Sequence, residues 1–487
     1  MRNTIKHIHF VGIGGSGMSG IAEVLANLDF IVSGSDIQEN KAVERLRSAG
    51  ITVHIGHDEQ NITNANVVVA SSAIDNENPE INAAQKSGIP VIPRAEMLGE
   101  LMRFQKGIAI AGTHGKTTTT SLVATILIAA NLDPTFVVGG LVNSANANAK
   151  LGSGEYLVAE ADESDASFLN LQPDIVAVTN IDADHMTTYD NDFEKLTDTF
   201  IAFIKNIPFY GRAVLCWDDE NVRAIKPLLN KPVLTYGFHD DADIRGENVR
   251  TQGSSMLFDV SIKGKRSIQD IELNMPGEHN VQNALAAITI ADHLEVKTES
   301  IKKALSSFSG VGRRFQKMGE LLIQGKQVSL IDDYAHHPRE LAATLKAAKG
   351  CWPDRRIITV FQPHRYSRTQ DLFDDFVVEL ADCNQLVICD VYPAGETPIS
   401  GADGRSLCKA IRNRGKTDPV FVPNIESLTT TLESIVNHGD IVLTLGAGSI
   451  GKASIDLAEK YLSATNVCTS STASTKNSTQ FKEVTNG

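Results

Sequence analysis

Two glycine-rich strand-to-helix turns in one chain constrain this sequence more than any other feature. The apolar run Ile8–Val11 leads into Gly12-Ile13-Gly14-Gly15-Ser16-Gly17, and Ile108–Ala111 leads into Gly112-Thr113-His114-Gly115-Lys116-Thr117-Thr118. In both, glycine permits a tight turn, and the helix that follows aims its backbone N–H groups at an anion. Around them, short apolar runs ending in polar or glycine-rich loops (FIVSGSD, NVVVASSAI, YLVAEAD, DIVAVTNID, VSLIDDYA, RIITVFQP, LVICDVYP, DIVLTLGAG) alternate with helical patterns such as Gly20–Asn27, Lys116–Ala130, Phe193–Ile204, Val281–Ala291 and Arg339–Ala348. This alternation predicts an α/β fold of parallel sheets covered by helices, with ligands bound beyond the carboxyl ends of the strands.

The first turn has the GxGxxG form. Asp36 ends the next strand, 24 residues past Gly12 (36 − 12), where a carboxylate reaches ribose hydroxyls. By spacing alone this is a nicotinamide-binding Rossmann unit, and the motif does not choose between a dinucleotide and a nucleoside diphosphate. The second turn holds the Gly-Lys-Thr core of a P-loop, in which Lys116 neutralises the β- and γ-phosphates and the Thr117 hydroxyl reaches Mg²⁺. It departs from the full GxxxxGK[ST] pattern, because Ile110 stands five before Gly115. The pairing is more specific than either half: a plain dehydrogenase has no use for the second turn, and a plain ATPase has none for the first.

Other candidate residues also fall at strand ends. Glu160-Ala161-Asp162-Glu163-Ser164-Asp165 follows one strand, and Asn180-Ile181-Asp182-Ala183-Asp184-His185 follows another. Mg²⁺ takes oxygen ligands, so one of Glu160 or Glu163 is a candidate ligand, and a second ion would suit His185. Asp162 and Asp165 read as a solvated acidic loop. His279 or Asn280, at the start of an Ala-rich helix, could read a base edge, unless Asn280 is only an N-cap. If Pro363 opens a helix, Arg365 and Arg368 share one face near its N-terminus, where cations oppose the helix dipole unless an anion sits between them.

A length of 487 residues predicts three domains. Glycine-rich links place them at 1–103, 104–312 and 313–464, followed by a Ser/Thr/Asn-rich tail, 465–487, expected to be disordered. The net charge is 45 − 59 = −14, which argues against nucleic acid or an anionic membrane as a partner. The six cysteines form no CxxC pair, as in a reduced cytoplasmic protein. The longest apolar stretch, Leu122–Leu132, falls short of a membrane span, and the N-terminus shows no signal-peptide pattern.

The motifs GIGGSGMSGIAEVL with SGSD, AGTHGKTTTT, AEADESDASFL, TNIDADH, GEHNVQNALAA, DDYAHHP, FQPHRYSRT and GAGSIG, taken together and in this order, resemble the Mur ligase family of bacterial peptidoglycan synthesis. The resemblance spans about Ile8 to Leu462. It implies three α/β domains: a Rossmann-like one for a UDP-sugar, a P-loop one for ATP and a Rossmann-like one for an amino acid. It further implies that Gly14, Gly15, Ser16, Gly17, Asp36 and Ser71 serve UDP rather than a nicotinamide. Gly112, Thr113, His114, Gly115, Lys116, Thr117 and Thr118, with His279, Asn280, Arg314 and Asp333, would serve ATP. Thr117, Glu160 and His185 would hold Mg²⁺ or Mn²⁺, and Lys116, Glu160 and His185 would carry the chemistry. Tyr334, His336, His364, Arg365 and Arg368 would surround the amino acid and an acyl phosphate. The implied substrates are UDP-N-acetylmuramate, L-alanine and ATP, handled by a monomer or weak homodimer. The alternative within the family is a recycling ligase that attaches a preformed peptide.

Overall fold

The structure, a computed structural model, describes residues 4–71, 73–75, 77–142 and 147–462. The tail expected from Thr465 onward lies outside these residues. Three sheets fall into two compact units, one running to Gly312 and the other beginning at Arg313.

The first sheet is wholly parallel, in the order Thr52–Ile55, Ile31–Asp36, His7–Val11, Val67–Ala70, Val91–Pro93. Its central strand buries Ile8, Phe10 and Val11 completely, as a strand covered on both faces must. The chain reverses direction across the sheet between His7–Val11 and Val67–Ala70, so a crevice opens where the first glycine-rich turn emerges.

The second sheet has ten strands. Lys106–Ala111, which feeds the P-loop, lies between Tyr156–Glu160 and Ile175–Val178 with parallel pairing on both sides. The P-loop, the acidic segment and the segment ending in His185 therefore leave one sheet edge from three adjacent strands. Beyond the expected parallel strands, the sheet continues into an antiparallel meander, Ile244–Gln252, Ser255–Ile262 and Arg266–Leu273. Along the edge strand Arg266–Leu273 only Ile268, Ile271 and Leu273 are buried, with a register shift against Phe258–Val260 between the first two.

These two sheets share one apolar cluster. Helix Ser16–Asn27, which follows the first glycine-rich turn, packs on strands Thr135–Val142 and Ala147–Lys150 of the second sheet. Gly20 makes that approach possible: a Cβ there would lie 2.8 Å from the Ala149 Cβ.

In the second unit the sheet order is Gln316–Ile323, Lys326–Asp333, Ile441–Leu445, Ile357–Phe361, Gln385–Cys389, Val420–Val422. Only the first pair is antiparallel. Among the described residues no helix is long and apolar enough to cross a membrane.

Phe168 anchors the acidic segment from beneath, stacking on Phe203 at 4.6 Å and meeting Phe200 edge-on at 5.3 Å, all three fully buried. Phe168→Ala should cost about 3–5 kcal/mol, read as a lowered urea midpoint for the first unit. Loss under about 1 kcal/mol would show that this ring does not anchor the segment.

Candidate active site

Backbone hydrogen bonds set the first turn. Gly12 has φ +80°, and the Gly12 and Ile13 N–H groups both donate to the Ser35 carbonyl at 2.9 Å. The Gly14 N–H donates to Asp36 Oδ2 at 2.8 Å. The Ser71 N–H donates to the Val11 carbonyl at 3.1 Å, which brings the end of the neighbouring strand alongside. Gly15 is the N-cap of the helix and supplies no side-chain acceptor to its first N–H groups. Gly14, Gly15, Gly17, Asp36 and Ser71 are thus gathered at one sheet edge; the Ser16 side chain lies outside the described part. Asp36 braces the turn through Gly14.

Glycine is required twice in the second turn. Gly112 has φ +127° and Gly115 φ +82°, and a Cβ at either would collide, with Thr179 Oγ1 and Asn283 Oδ1 respectively. His114 is fixed by its N–H donating to Asn180 Oδ1 at 2.7 Å and its carbonyl accepting from Thr179 Oγ1 at 2.6 Å. Its ring lies 3.3 Å from the Asp182 carboxylate. The buried hydroxyls of Thr120 and Ser121 donate to the carbonyls of Lys116 and Thr117, so the polar run in the helix core is satisfied.

Lys116 Nζ donates to the Gly112 carbonyl at 2.6 Å, the Thr113 carbonyl at 3.1 Å and Glu163 Oε1 at 2.8 Å. Burial works against its charge, but the carboxylates of Glu163, Asp162 and Glu160 outweigh it and hold its pKa above the usual value. Burial pushes Glu163 up to about 7 despite the ammonium beside it. The proton therefore stays on Lys116, and Glu163 is the carboxylate that gives way. Glu163 Oε2 is buried without a hydrogen-bond partner among the described residues.

One cavity is lined by Gly17, Arg94 and Leu98 together with Lys116, Gly139, Glu160 and Asp162. Glu160 is oriented by the Gly139 N–H, which donates to Oε1 at 2.8 Å. Asp162, expected in a solvated acidic loop, instead lines this cavity and pairs with Arg94 at 3.1 Å. The cavity measures about 170 Å³. His185 sits at φ +55° at the start of the turn Met186–Tyr189, its Nε2 3.6 Å from Asp184. Tyr189 ties this turn to the acidic segment by donating to the Glu163 carbonyl.

Two expectations need correction. Asn280 is not an N-cap: Gly277 holds that place, and Asn280 lies inside helix Glu278–His293, 3% exposed. Its amide donates to the Pro276 carbonyl at 2.7 Å and its oxygen accepts from Asn283 at 3.2 Å, which fixes its orientation at the helix start. The sequence reading missed Asn283, which stands against Gly115 and accepts from Thr119; an Asn in an Ala-rich helix gave the only signal. Pro363 does not open a helix. The helix begins at Tyr366, with Arg365 as its N-cap at φ +68°. Arg365 is half-exposed, 4.0 Å from Glu396, whereas Arg368 is buried with Nη1 3.4 Å from His364 Nδ1. The two arginines do not share a helix face.

The second unit nevertheless gathers the expected residues. Tyr334, His336 and His364 form a ladder of rings with centroids 5.4 and 6.0 Å apart, extended by Tyr392 stacked on His364 at 5.5 Å. Arg314 lies over the Tyr334 ring at 5.1 Å. Burial, with His336, Arg368 and Arg365 nearby, pushes His364 down to about 4, so the ring is neutral at physiological pH. Asp333 accepts from the Phe315 N–H at 2.6 Å and the Ala335 N–H at 2.8 Å.

Family models match along the chain: the Mur ligase catalytic domain at residues 7–106, the Mur ligase middle domain at 110–291 and the glutamate ligase domain at 313–448. The chain belongs to the Mur ligase family. It is 56% identical over 455 residues to a UDP-N-acetylmuramate–L-alanine ligase of Laribacter hongkongensis, covering 93% of this chain and 97% of that protein. Its fold matches the crystal structure of a UDP-N-acetylmuramate–alanine ligase from Thermotoga maritima, with TM-score 0.79, 30% identity and coverage of 94% and 99%. It also shares the fold of a murein peptide ligase from Psychrobacter arcticus, with TM-score 0.69, 24% identity and coverage of 93% and 98%. Within this Mur ligase, both glycine-rich turns open toward the cavity that holds Glu160.

Burial pushes Asp333 up to about 6, with Arg314 opposing. A folded-state pKa above the unfolded value gives stability that is complete below about pH 4 and lost as pH rises through about 6. Asp333→Asn should therefore flatten the pH dependence of unfolding between pH 4 and 6, removing at most about 3 kcal/mol of variation. Chemical denaturation across that window tests it, and an unchanged slope would refute it.

Proposed function

We propose that the protein is an ATP-dependent ligase that joins L-alanine to the lactyl carboxylate of UDP-N-acetylmuramate through an acyl phosphate. One observation carries the reading: Gly17 of the first phosphate-binding turn and Lys116 of the second line the same cavity. A sugar nucleotide held at the first turn and ATP held at the second then present their reacting ends to each other. The 56% identity to the Laribacter ligase over nearly the whole chain supports the choice of substrates.

Hydroxide is too poor a leaving group for a carboxylate and an amine to condense in water. Transfer of the γ-phosphoryl group to the lactyl carboxylate releases ADP and gives an acyl phosphate, from which phosphate departs after the alanine amine attacks the carbonyl carbon. No protein nucleophile is needed; the chain positions the groups and balances charge. Gly112 to Thr118 would cradle the phosphates, and Lys116, released from Glu163, would follow the moving phosphoryl group. The Asp333 carboxylate and Arg314 would lie toward the nucleotide, and His336, His364, Arg365 and Arg368 toward the amino acid and acyl phosphate.

The donor set suits magnesium: the Glu160 carboxylate is fixed at the cavity by Gly139, the Thr117 hydroxyl stands on the first turn of the P-loop helix, and both are hard oxygens. When bound, the ion would offset phosphate charge in transfer. His185, beside Asp184, is the candidate ligand for a second ion.

Phosphate release with UDP-N-acetylmuramate, L-alanine and ATP should require all three, and an alanine-initiated tripeptide should not replace alanine. Lys116→Ala should lower kcat by about 10²-fold or more while leaving UDP-sugar binding by calorimetry within a few-fold of wild type. Preference for the tripeptide would move the protein to the recycling ligases, and a Lys116→Ala enzyme of normal turnover would remove the P-loop from the chemistry.

A further inference from the structure

Arg94 entered none of the sequence reasoning, yet it stands where the two phosphate-binding turns meet. It opens helix Arg94–Met102, and its side chain passes beneath the start of helix Ser16–Asn27. A Cβ on Gly17 would collide with Arg94 Nη1 and lie 3.2 Å from its Cδ, so the glycine leaves room for this guanidinium. The other end of the fork, Nη2, lies 3.1 Å from Asp162 Oδ2. The cations lining the cavity are Lys116 and Arg94. Lys116 is bound to P-loop carbonyls and Glu163, which leaves Arg94 as the cation facing the first turn.

That turn holds no cation of its own in its motif, Gly12 to Gly17. Its helix has no side-chain cap and no acidic residue in the first turn, so its leading N–H groups face the crevice as donors. Two phosphates carry more charge than a helix start balances. We propose that Arg94 is a substrate-binding residue for the diphosphate of the sugar nucleotide, exchanging Asp162 for a phosphate oxygen when that substrate enters. This rests on the first turn being the nucleoside-diphosphate site. The exchange is easy in both directions, because the Arg94–Asp162 pair is partly solvated, with side chains 28% and 40% exposed, and such pairs are weak. A planar guanidinium then gains a two-pronged contact with phosphate that a lysine cannot copy. Gly17 becomes a specificity device: it is small so that Arg94 can reach the turn.

Calorimetry with uridine and UDP on the full-length protein separates the contact from a structural role. Wild type should bind UDP more tightly than uridine. In Arg94→Ala that preference should fall at least tenfold with uridine affinity retained, which also reports a folded site. Arg94→Lys should restore only part of it, and Gly17→Ala, which displaces the guanidinium without removing it, should lower it as well. Asp162→Asn, which frees Arg94 beforehand, should tighten UDP two- to fivefold. A UDP preference undiminished in Arg94→Ala overturns the inference alone. A wild-type protein that binds UDP no better than uridine overturns the diphosphate assignment of the turn itself, and the inference with it.

Discussion

The close approach of helix Ser16–Asn27 to the second sheet is the constraint on which the rest of the first unit depends. Each glycine-rich turn is held by its own sheet, the first through Ser35 and Asp36 and the second through Thr179 and Asn180, and each offers a helix start to an anion. Their cooperation requires that the helix after the first turn lie on the strands Thr135–Val142 and Ala147–Lys150, at a distance that only Gly20 permits. Burial of Ile21, Val24 and Leu25 in the cluster that also contains Val137 and Ala149 holds that approach by the apolar area it removes from water. Two binding motifs thereby become one cavity.

Charge balance in that cavity follows from the same packing. Three ionisable side chains besides Lys116, namely Arg94, Glu160 and Asp162, line it, and the protein as a whole carries −14. Lys116 meets three carboxylates before any substrate arrives, and Glu163, desolvated and short of one hydrogen bond, is destabilised as an anion where Asp162 is stabilised. On the proposed reading, substrates bearing several negative charges enter such a site by exchanging partners: phosphate for Glu163 at Lys116, and phosphate for Asp162 at Arg94. At Arg94 the acidic partner holds the cation without binding it permanently, since a partly solvated pair is worth little.

Much of this was legible in the sequence, for physical reasons that differ from residue to residue. The parallel strands were readable because buried strands are continuous apolar runs, and each run quoted above is a strand. The glycines of both turns, Gly15 apart, were readable because their positive φ or close contacts exclude other residues. The meander Ile244–Leu273 was not: two of its three strands, Ile244–Gln252 and Arg266–Leu273, are largely exposed and polar, and the alternation is broken by bulges between Glu247 and Arg250 and between Phe258 and Val260. Arg365 and Arg368 were placed on one face by helical spacing, but Arg365 adopts a backbone conformation unlike a helix, which no spacing rule anticipates. Arg94 and Asn283 act across 77 and 168 residues, on Gly17 (94 − 17) and Gly115 (283 − 115) respectively. Long-range contacts of this kind leave no local pattern.

The two turns also show why a motif names a ligand class and not a ligand. In the first, Asp36 has the spacing that favours ribose recognition, yet its Oδ2 accepts from Gly14; the same carboxylate shapes the loop and is the one that the spacing offers to a nucleoside. Spacing sees only the second role, which nicotinamide and uridine nucleotides share. What separates them lies further along the bound molecule. A dinucleotide would extend a second nucleoside past the diphosphate, into the space where Arg94, Asp162, Glu160 and Lys116 converge. A flat, weakly charged ring gains nothing from four charged side chains that must be desolvated to receive it. A carboxylate and a phosphoryl group gain from each cation there, and from any ion that Glu160 holds. The chemistry at the far end of the cavity, rather than the glycine fingerprint at its mouth, is what selects an acid-bearing sugar nucleotide over a redox cofactor.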